Sequence, residues 1–381
     1  MNVQSRTPRL SILVPGPAAA LAALVSVAAV GCASADEVAY DKAEADLAAE
    51  EAPEGGGKSD FLDVCDLAGW YGDGTCDRMC QSLDPDCPLL GPEPTGAATR
   101  FPIVLHHGMA GGRAWILTYH GIREALAADG HAVYQTQVPP FDSVEVRGEA
   151  LAAQIDEVLA ATGAEKINLV AHAMGGLDAR YVISTLGYGD RIASLTTMSS
   201  PHRGAALADF ALTLAPGDLL LDGIAALVGA HVSDVAGDPD LRSAMEAMAE
   251  SSAAAFNART PDDDRVYYQS WSGVSSLRGS AADRDRAAAV CGDVSLLPDD
   301  SLDKLRLEFM PFASIVGHGS DQHDGMVTVA SARWGDFRGC VPADHADEIG
   351  NLTTSRPNPR TGWDPERFWR QVAFELAARG L

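Results

Sequence analysis

Residues 167–181 constrain the fold of this chain more than any other stretch. An apolar run of β-strand type begins at Ile167, and a helical pattern begins at Gly175. The tight turn between them consists of small residues and has Ala173 at its apex. Gly175 and Gly176 carry no side chain, so the helix can pass close to the strand. This order predicts a strand followed at once by a helix, which is the repeating unit of a parallel sheet.

The residue at the apex of this turn has no reactive atom. A nucleophile elbow has the form G-x-S-x-G, in which a serine stands on a strained strand-to-helix turn. This chain has His172 before the apex and alanine at position 173 itself. No base can turn a methyl group into a nucleophile. The sequence therefore predicts the shape of an elbow and the loss of its chemistry.

From residue 100 onward the chain alternates segments of strand and helix type. Apolar runs at 101–106, 132–138 and 193–199 have the pattern of strands, and residues 143–161 have that of an amphipathic helix. Such alternation predicts an α/β fold, with a mostly parallel sheet flanked by helices. Ligands of these sheets bind at the carboxyl ends of the strands, where the turn at Ala173 lies.

Residues 1–31 have the pattern of a secretory signal peptide. Arg6 and Arg9 precede an alanine-rich apolar run that ends in small residues before Cys32. The run is short and contains two prolines, which argues against a retained membrane helix. The residues before Cys32 resemble a bacterial lipoprotein cleavage box. We therefore expect an exported protein, either attached to a membrane by a lipid on Cys32 or released by cleavage near Ala33.

The seven cysteines are consistent with export to an oxidising compartment. A lipidated Cys32 leaves an even number of six. Four of these lie within residues 65–87, where we expect two local disulfide bonds of undetermined connectivity. Cys291 and Cys340 are then expected to pair with each other, with free buried thiols as the alternative.

Composition divides the region before the α/β domain into three parts. Residues 32–60 are acidic and lack a hydrophobic period, which is typical of a disordered linker. Residues 61–90 contain the four clustered cysteines and are predicted to form a small disulfide-stapled domain, the cysteine-rich module. Residues 91–99 form a second linker, and the α/β domain spans 100–381. The formal net charge of −25 argues against nucleic acid as a partner.

The aspartates of the cysteine-rich module allow two interpretations. Carboxylates around tight turns suit calcium, and the module offers Asp73, Asp77, Asp84 and Asp86. A stapled module with solvated acids is the simpler interpretation, and we favour it.

Short motifs follow one another in a fixed order through the α/β domain. They are Pro102-Ile103-Val104-Leu105 leading into His107-Gly108-Met109, Arg147-Gly148-Glu149, the turn within 168–181, Ser200-Pro201-His202-Arg203-Gly204, Ser270-Trp271-Ser272-Gly273, Asp324-Gly325-Met326-Val327 and His345-Ala346-Asp347-Glu348-Ile349. In these motifs and their order, the chain resembles the pseudomonad-type secreted triacylglycerol lipases. The resemblance implies an α/β-hydrolase fold, hydrolysis of acyl-lipid esters, and a folding chaperone as a further candidate partner.

Carried over by position, the resemblance assigns a catalytic triad. Asp324 corresponds to its acid, His345 to its base, and Ala173 to its nucleophile. An imidazole would take the proton from the attacking oxygen, and a carboxylate would fix the tautomer of that imidazole. The backbone N–H groups of Met109 and Met174 correspond to the two donors of the oxyanion hole.

The resemblance also implies a structural calcium ion that holds the loop of the catalytic histidine. Asp347 matches one carboxylate ligand by its place after His345. For the second carboxylate we expect Asp299, with Asp300 as the alternative. Asn351 stands where the family often has glutamine, and its amide oxygen is a further candidate ligand.

A long insertion at about 205–262 separates the two halves of the domain. Its segments 205–214 and 219–228 are strongly apolar. The resemblance implies a helical lid whose apolar face meets lipid, and a pair of buried cap helices is the alternative. Both interpretations imply an apolar pocket for acyl chains.

Three hypotheses follow from alanine at the nucleophile position. The chain is a lipase or esterase scaffold made nearly inactive by substitution, or a natural pseudoenzyme that binds acyl ligands or a protein partner. In the third hypothesis, His345 and Asp324 activate water directly. The complete set of supporting residues favours the first, since an abandoned site has no need of its acid and base.

Overall fold

The computed structural model describes residues 63–111, 118–214, 239–292, 295–319, 321–350 and 356–381. The predicted signal peptide, Cys32, the linker 32–60, the apolar segment 219–228 and Asn351 lie outside these residues. No helix in the described ranges has the length and apolarity needed to cross a bilayer.

Eight strands form the two sheets of the described chain. They are β1 Ile103–His106, β2 Val133–Gln135, β3 Ile167–His172, β4 Ile192–Met198, β5 Tyr267–Gly273, β6 Ser275–Ser276, β7 Asp303–Lys304 and β8 Asp336–Val341. Six of them pair in parallel, in the order β2-β1-β3-β4-β5-β8, and β6 pairs with β7. The strand β3, which leads into the elbow, therefore lies inside the sheet.

Helices cover both faces of the large sheet, and the described ranges contain eleven α-helices in all. They are α1 Val64–Ala68, α2 Ile122–Ala128, α3 Val144–Thr162, α4 Gly175–Ser184, α5 Ala206–Leu212, α6 Pro239–Met248, α7 Glu250–Arg259, α8 Ala281–Cys291, α9 Ala313–Val316, α10 Val329–Ala332 and α11 Pro365–Ala378. In β1, Ile103 and Leu105 pack with α2 and α11, whereas Val104 packs with α3 and α4. Side chains alternate across a strand, so covering both faces requires a continuous apolar run.

The helices that carry functional side chains begin and end at recognisable sequence signals. Ser143 caps α3 by accepting a hydrogen bond from Val146 N at 3.3 Å, and Gly163 ends the helix at φ 67°. Asp364 caps α11, whose first residue is Pro365. These signals satisfy the backbone groups that each helix leaves without partners.

The cysteine-rich module, described from residue 63 to 90, is held by two disulfide bonds. Cys65 is joined to Cys80, and Cys76 is joined to Cys87. The buried carboxylate of Asp84 accepts hydrogen bonds from the backbone N–H groups of Gly72, Asp77 and Asp86. These bonds use both carboxylate oxygens to fold the module's own backbone.

The structure confirms the predicted fold class, an α/β fold with a parallel sheet flanked by helices and preceded by a disulfide-rich region. A third disulfide joins Cys291 at the end of α8 to Cys340 in β8, and the two Cα atoms lie 5.4 Å apart. In the insertion, α5, α6 and α7 bury apolar side chains against the elbow region.

Candidate active site

The turn after β3 has the backbone shape of a nucleophile elbow. Ala173 has a positive φ of 51°, between a strand that ends at His172 and a helix that begins at Gly175. A non-glycine residue in this region of backbone space is strained, and such strain concentrates at functional sites. The N–H of Ala173 donates to Met198 O at 3.0 Å, which ties the apex to the neighbouring strand.

Glycines around the apex allow the chain to approach itself closely. A Cβ added at Gly108 would lie 2.7 Å from the Ala173 Cβ, and one added at Gly175 would lie 2.9 Å from His107 O. At Gly176 it would lie 2.1 Å from Ser200 Oγ. These distances are too short for a methyl group, so the elbow requires glycine at all three positions.

The predicted acid and base lie in contact. His345 Nδ1 and Asp324 Oδ2 are 2.7 Å apart, and both residues are buried. The other oxygen of Asp324 accepts the N–H groups of Met326 at 2.8 Å and Val327 at 2.7 Å. Burial opposes ionisation of Asp324, but the charge and hydrogen bond of His345 and these two N–H groups lower its pKa below the ordinary value.

The imidazole of His345 and the methyl of Ala173 line the same apolar pocket. Met109 and Met174 line it too, and the insertion contributes Ala205, Leu207, Ala208, Met245 and Met248. Within the described ranges, the N–H groups of Met109 and Met174 have no acceptor in the protein. The structure therefore places four of the five sequence-predicted catalytic residues around one apolar space, with two backbone donors available for an oxyanion, and the fifth, Asp324, lies behind His345.

A buried carboxyl group that the sequence analysis did not single out lies behind the triad. Glu348 is fully buried and contacts His172 Nε2 at 3.0 Å. It also accepts a hydrogen bond from Ser199 Oγ. Burial and the nearby charge of Asp324 raise the pKa of Glu348, while burial and the charge of His345 lower the pKa of His172. Both groups therefore favour their neutral forms, and they link the histidine loop (residues 342–350) to the elbow.

A second buried network holds the loop after β1, which carries Met109. Arg147 on α3 donates to Asp178 on α4 from Nε at 2.9 Å and to His107 O from Nη2 at 2.9 Å. His106 contacts the same carboxylate oxygen of Asp178 at 3.0 Å. Arg147 and Asp178 are fully buried, which is exceptional for charged residues unless they are paired. Arg147 thereby joins the oxyanion loop (residues 107–111) to the helix of the elbow.

The two aspartates expected as candidates for the second calcium carboxylate do not lie in the buried group that contains Asp347. Asp299 and Asp300 are exposed, whereas Asp303 in β7 is buried beside Asp344 and Asp347. The physical reason is the flanking sequence, because Leu302 and Leu305 draw this part of the chain into the core. The sequence pattern that indicates a buried carboxylate here is therefore an acid between two leucines, and not the Asp-Asp pair before it.

The three carboxylates offer oxygens within 4.8 Å of one another. Arg306 forms ion pairs with two of them. Its Nη2 lies 2.6 Å from Asp347 Oδ1, and its Nε lies 3.2 Å from Asp344 Oδ2. Burial and the negative charge of Asp347 raise the pKa of Asp344 to about 8. Burial and the charges of its two neighbours likewise raise the pKa of Asp303. One arginine cannot neutralise three ionised carboxylates, and the raised pKa values of Asp344 and Asp303 reflect this.

Comparison with known proteins agrees with this geometry. The model of the α/β hydrolase fold family matches residues 102–233. A triacylglycerol lipase of Pseudomonas fragi is 33% identical over 307 residues, which are 74% of this chain and 98% of that protein. A triacylglycerol lipase of Vibrio cholerae is 30% identical over 307 residues, covering 74% of this chain and 89% of that protein.

Solved structures share the fold at lower sequence identity. The metagenomic carboxyl esterase MGS0156 superposes with a TM-score of 0.52 at 17% identity, over 81% of this chain and 84% of that one. A lipase from Staphylococcus hyicus gives a TM-score of 0.50 at 15% identity, over 76% and 98% of the two chains. The fold and the gathered residues define an α/β hydrolase. With its relatives, the chain belongs to the triacylglycerol lipase family.

Proposed function

We propose that this chain is an exported acyl-ester hydrolase scaffold that hydrolyses esters only near background, because Ala173 occupies the nucleophile position. The observation that carries the proposal is the single pocket lined by the Ala173 methyl and by His345, whose ring contacts Asp324 at 2.7 Å. The acid and the base of a serine hydrolase are paired with each other, and the two oxyanion donors lie at the same pocket. Only the attacking oxygen is missing.

The expected loss of hydrolytic rate follows from the chemistry of serine hydrolases. In a protease of the same mechanism, loss of the serine alone lowers kcat by about 2 × 10⁶-fold. Oxyanion donors and substrate binding still leave roughly 10³- to 10⁴-fold acceleration over water. The Ala173 protein is therefore expected to bind an ester and polarise its carbonyl without forming an acyl-enzyme.

The pocket favours the acyl esters of lipids as substrates. Its lining is almost wholly apolar, with methionine and aliphatic side chains from the oxyanion loop, the elbow and the insertion. Apolar surfaces gain free energy by removing an acyl chain from water. The relatives named above are triacylglycerol lipases, which agrees with carboxylic esters of long acyl chains as the substrate class.

Replacing the alanine tests this proposal. We expect Ala173→Ser to raise kcat for p-nitrophenyl butyrate and palmitate on the order of 10⁵-fold. The matched control is Ala173→Gly, which accepts the positive φ but adds no oxygen, and it should stay at background. A folded Ala173→Ser protein with no gain on either ester would refute the proposal.

The intact pocket also supports a second candidate function, that of a pseudoenzyme which binds acyl ligands. Its apolar lining is complete although the apex carries only a methyl group. Titration calorimetry of the Ala173 protein with a non-hydrolysable acyl ether should then show saturable binding. Binding that survives a change of Met245 to Glu inside the pocket would count against this function.

We further propose that calcium is held by Asp303 and Asp347, with Asp344 beside them. Buried carboxylate oxygens within 4.8 Å of one another suit its 6–8 oxygen ligands at about 2.3–2.6 Å. The ion would neutralise charge between β7 and the histidine loop and so hold His345 in place. Chelation should lower the melting temperature of the protein, and Asp303→Asn should abolish that response. A melting temperature unaffected by chelator would contradict this part.

Export completes the proposal. Three disulfide bonds support an oxidising compartment, and the sequence before Cys32 supports lipid attachment there. Mass spectrometry of the mature N-terminus should find a diacylated Cys32, and Cys32→Ser should release the protein from the membrane fraction. An unmodified N-terminus beyond residue 32 would instead support simple cleavage.

A further inference from the structure

The cysteine-rich module lies directly against the segment that supports the carboxylate site. Arg78 Nη1 donates to Arg360 O at 3.0 Å, across 282 positions of sequence. The end of the module continues this contact, because Leu90 N donates to Gly362 O at 2.8 Å. A Cβ at Gly362 would lie 2.5 Å from Pro88 O, so the two backbones are in close contact. The segment contacted, residues 356–363, is called the asparagine loop here.

The asparagine loop transmits this contact to a carboxylate. Asn358 Oδ1 accepts the N–H groups of Arg360 at 3.0 Å and Thr361 at 3.3 Å. Its amide Nδ2 donates to Asp303 Oδ1 at 2.7 Å. An unbroken series of hydrogen bonds therefore runs from Arg78 through the turn of the loop to a carboxylate of the ion site. If the loop were not held in place, the carboxylate of Asp303 would lose its hydrogen bond from Asn358.

The same loop also contacts the backbone of the residue that carries the second carboxylate, and it lines the space beside it. Trp363 Nε1 donates to Asp347 O at 3.1 Å. A cavity of about 200 Å³ next to Asp347 is lined by Asn358 and Trp363 on one side and by Gln81 of the module on the other. This cavity has room for water. Exchange of an ion with solvent would pass along this wall of the module.

We propose that the cysteine-rich module is the outer wall of the carboxylate site, and that Arg78 is a positioning residue which sets how fast a divalent cation leaves Asp303 and Asp347. This inference rests on the calcium part of the proposed function. Hydrogen bonds that hold ligands in place from outside the coordination sphere commonly change metal affinity 10- to 100-fold. Arg78 is separated from Asp303 by two further hydrogen bonds, so we expect a smaller effect on metal affinity.

The sign of the effect separates this role from simple electrostatics. Arg78 is a cation, and removing a cation should strengthen the binding of another cation nearby. If Arg78 positions the asparagine loop, its removal should instead weaken binding. One hydrogen bond corresponds to about a 3- to 10-fold change in release rate.

Terbium(III) is a suitable probe for the full-length protein, because it takes calcium sites and is excited through a neighbouring tryptophan, here Trp363. Stopped-flow release into excess chelator gives the rate directly. We expect Arg78→Ala to accelerate release about 3- to 10-fold, and Arg78→Lys to restore part of the difference. The double variant Cys76→Ser/Cys87→Ser should accelerate release as well. Arg242→Ala, which removes an exposed arginine paired with Glu246, is the charge-matched control and should leave the rate unchanged.

The outcomes distinguish the two proposals. Release from Arg78→Ala that is unchanged or slower, in a protein with an unchanged melting temperature, overturns the role of the module and leaves calcium standing. If Asp303→Asn fails to abolish terbium luminescence, both the calcium site and this inference fail. Neither result bears on the ester hydrolysis expected of Ala173→Ser, which is measured separately.

Discussion

The two sides of the active site are held together in different ways. The elbow and the oxyanion loop are held by close backbone contacts and by Arg147 and Asp178, all contributed by β1, β3 and the helices α3 and α4. The histidine loop is held instead by an ion pair and by a disulfide bond beside it, which connect it to elements other than these. Cys340 is bonded to Cys291 across 49 positions, and Asp347 is paired with Arg306 across 41.

This difference explains how the nucleophile can change without loss of the site. The shape of the elbow depends on Gly108, Gly175 and Gly176, which have no room for a side chain, and the apex residue only has to tolerate its positive φ. A serine and an alanine fit equally well there. The histidine, in contrast, depends on its carboxylate partner and on a loop held from several directions.

The largest effect expected concerns the histidine side. In the Ala173→Ser background, His345→Ala should lower kcat on the order of 10⁵-fold, because the serine then has no base. Initial rates on p-nitrophenyl butyrate measure it. His318→Ala, at an exposed histidine in the same background, is the control and should retain activity. Equal rates with and without His345 would show that the two sides do not act together.

The elbow side should be the more sensitive to loss of a buried charge pair. Changing Arg147 to Met leaves the carboxylate of Asp178 without its cation, and breaking such a pair costs about 3–5 kcal/mol of unfolding free energy. Urea denaturation followed by tryptophan fluorescence measures the cost. The matched control is Arg242→Ala, at an exposed pair, where we expect a change of about 0.5 kcal/mol or less. A loss below about 1 kcal/mol at Arg147 would contradict the role assigned to this network.

The disulfide on the histidine side should contribute somewhat less. Replacing Cys291 and Cys340 by serine opens a loop of 49 residues, and we expect a loss of roughly 2–4 kcal/mol. Denaturation of the oxidised protein and of the double variant gives the difference. The variant should also lose hydrolysis in the Ala173→Ser background at a lower temperature than it loses its far-UV circular dichroism. Simultaneous loss of both would mean that the two sides are one cooperative unit.

The smallest effect is a pH dependence at the edge of the site. His318 Nε2 lies 2.9 Å from Glu250 Oε1, which connects the segment before Asp324 to α7 of the insertion. The hydrogen bond and the charge of Glu250 raise the pKa of His318 above its ordinary value of about 6.5. The stability from this pair is therefore fully present below the unfolded pKa, and it is lost as pH rises through the folded one. NMR titration should show a raised pKa that Glu250→Gln returns toward the ordinary value, and an unshifted His318 would contradict the contact.

Local patterns in the sequence predicted most of the fold and the elbow side. The apolar run at 167–171 and the glycines after it placed β3 and α4 nearly at their observed bounds, because these features act within a few residues. The acid and the base could be located only through the family resemblance, since nothing near Asp324 or His345 in sequence shows that they meet.

Several features built from distant segments were not predicted. The sequence analysis expected Asp299 beside Asp347, whereas the structure buries Asp303 there, because burial by Leu302 and Leu305 depends on the sheet around β7 and not on the Asp-Asp pair. The partnership of Glu348 with His172 spans 176 positions, and no local pattern indicates it. The contact of the module with the asparagine loop has the same character, because hydrogen bonds across such separations follow from the whole fold.

The most direct test of the scaffold interpretation is stoichiometric labelling. A p-nitrophenyl alkylphosphonate should react with Ala173→Ser to release one equivalent of p-nitrophenolate, with the added mass confined to the peptide that carries position 173. The Ala173 protein should release none. A folded Ala173→Ser protein that remains unlabelled, or an Ala173 protein that is labelled equally, would show that the elbow, His345 and the oxyanion donors do not form the active site described here.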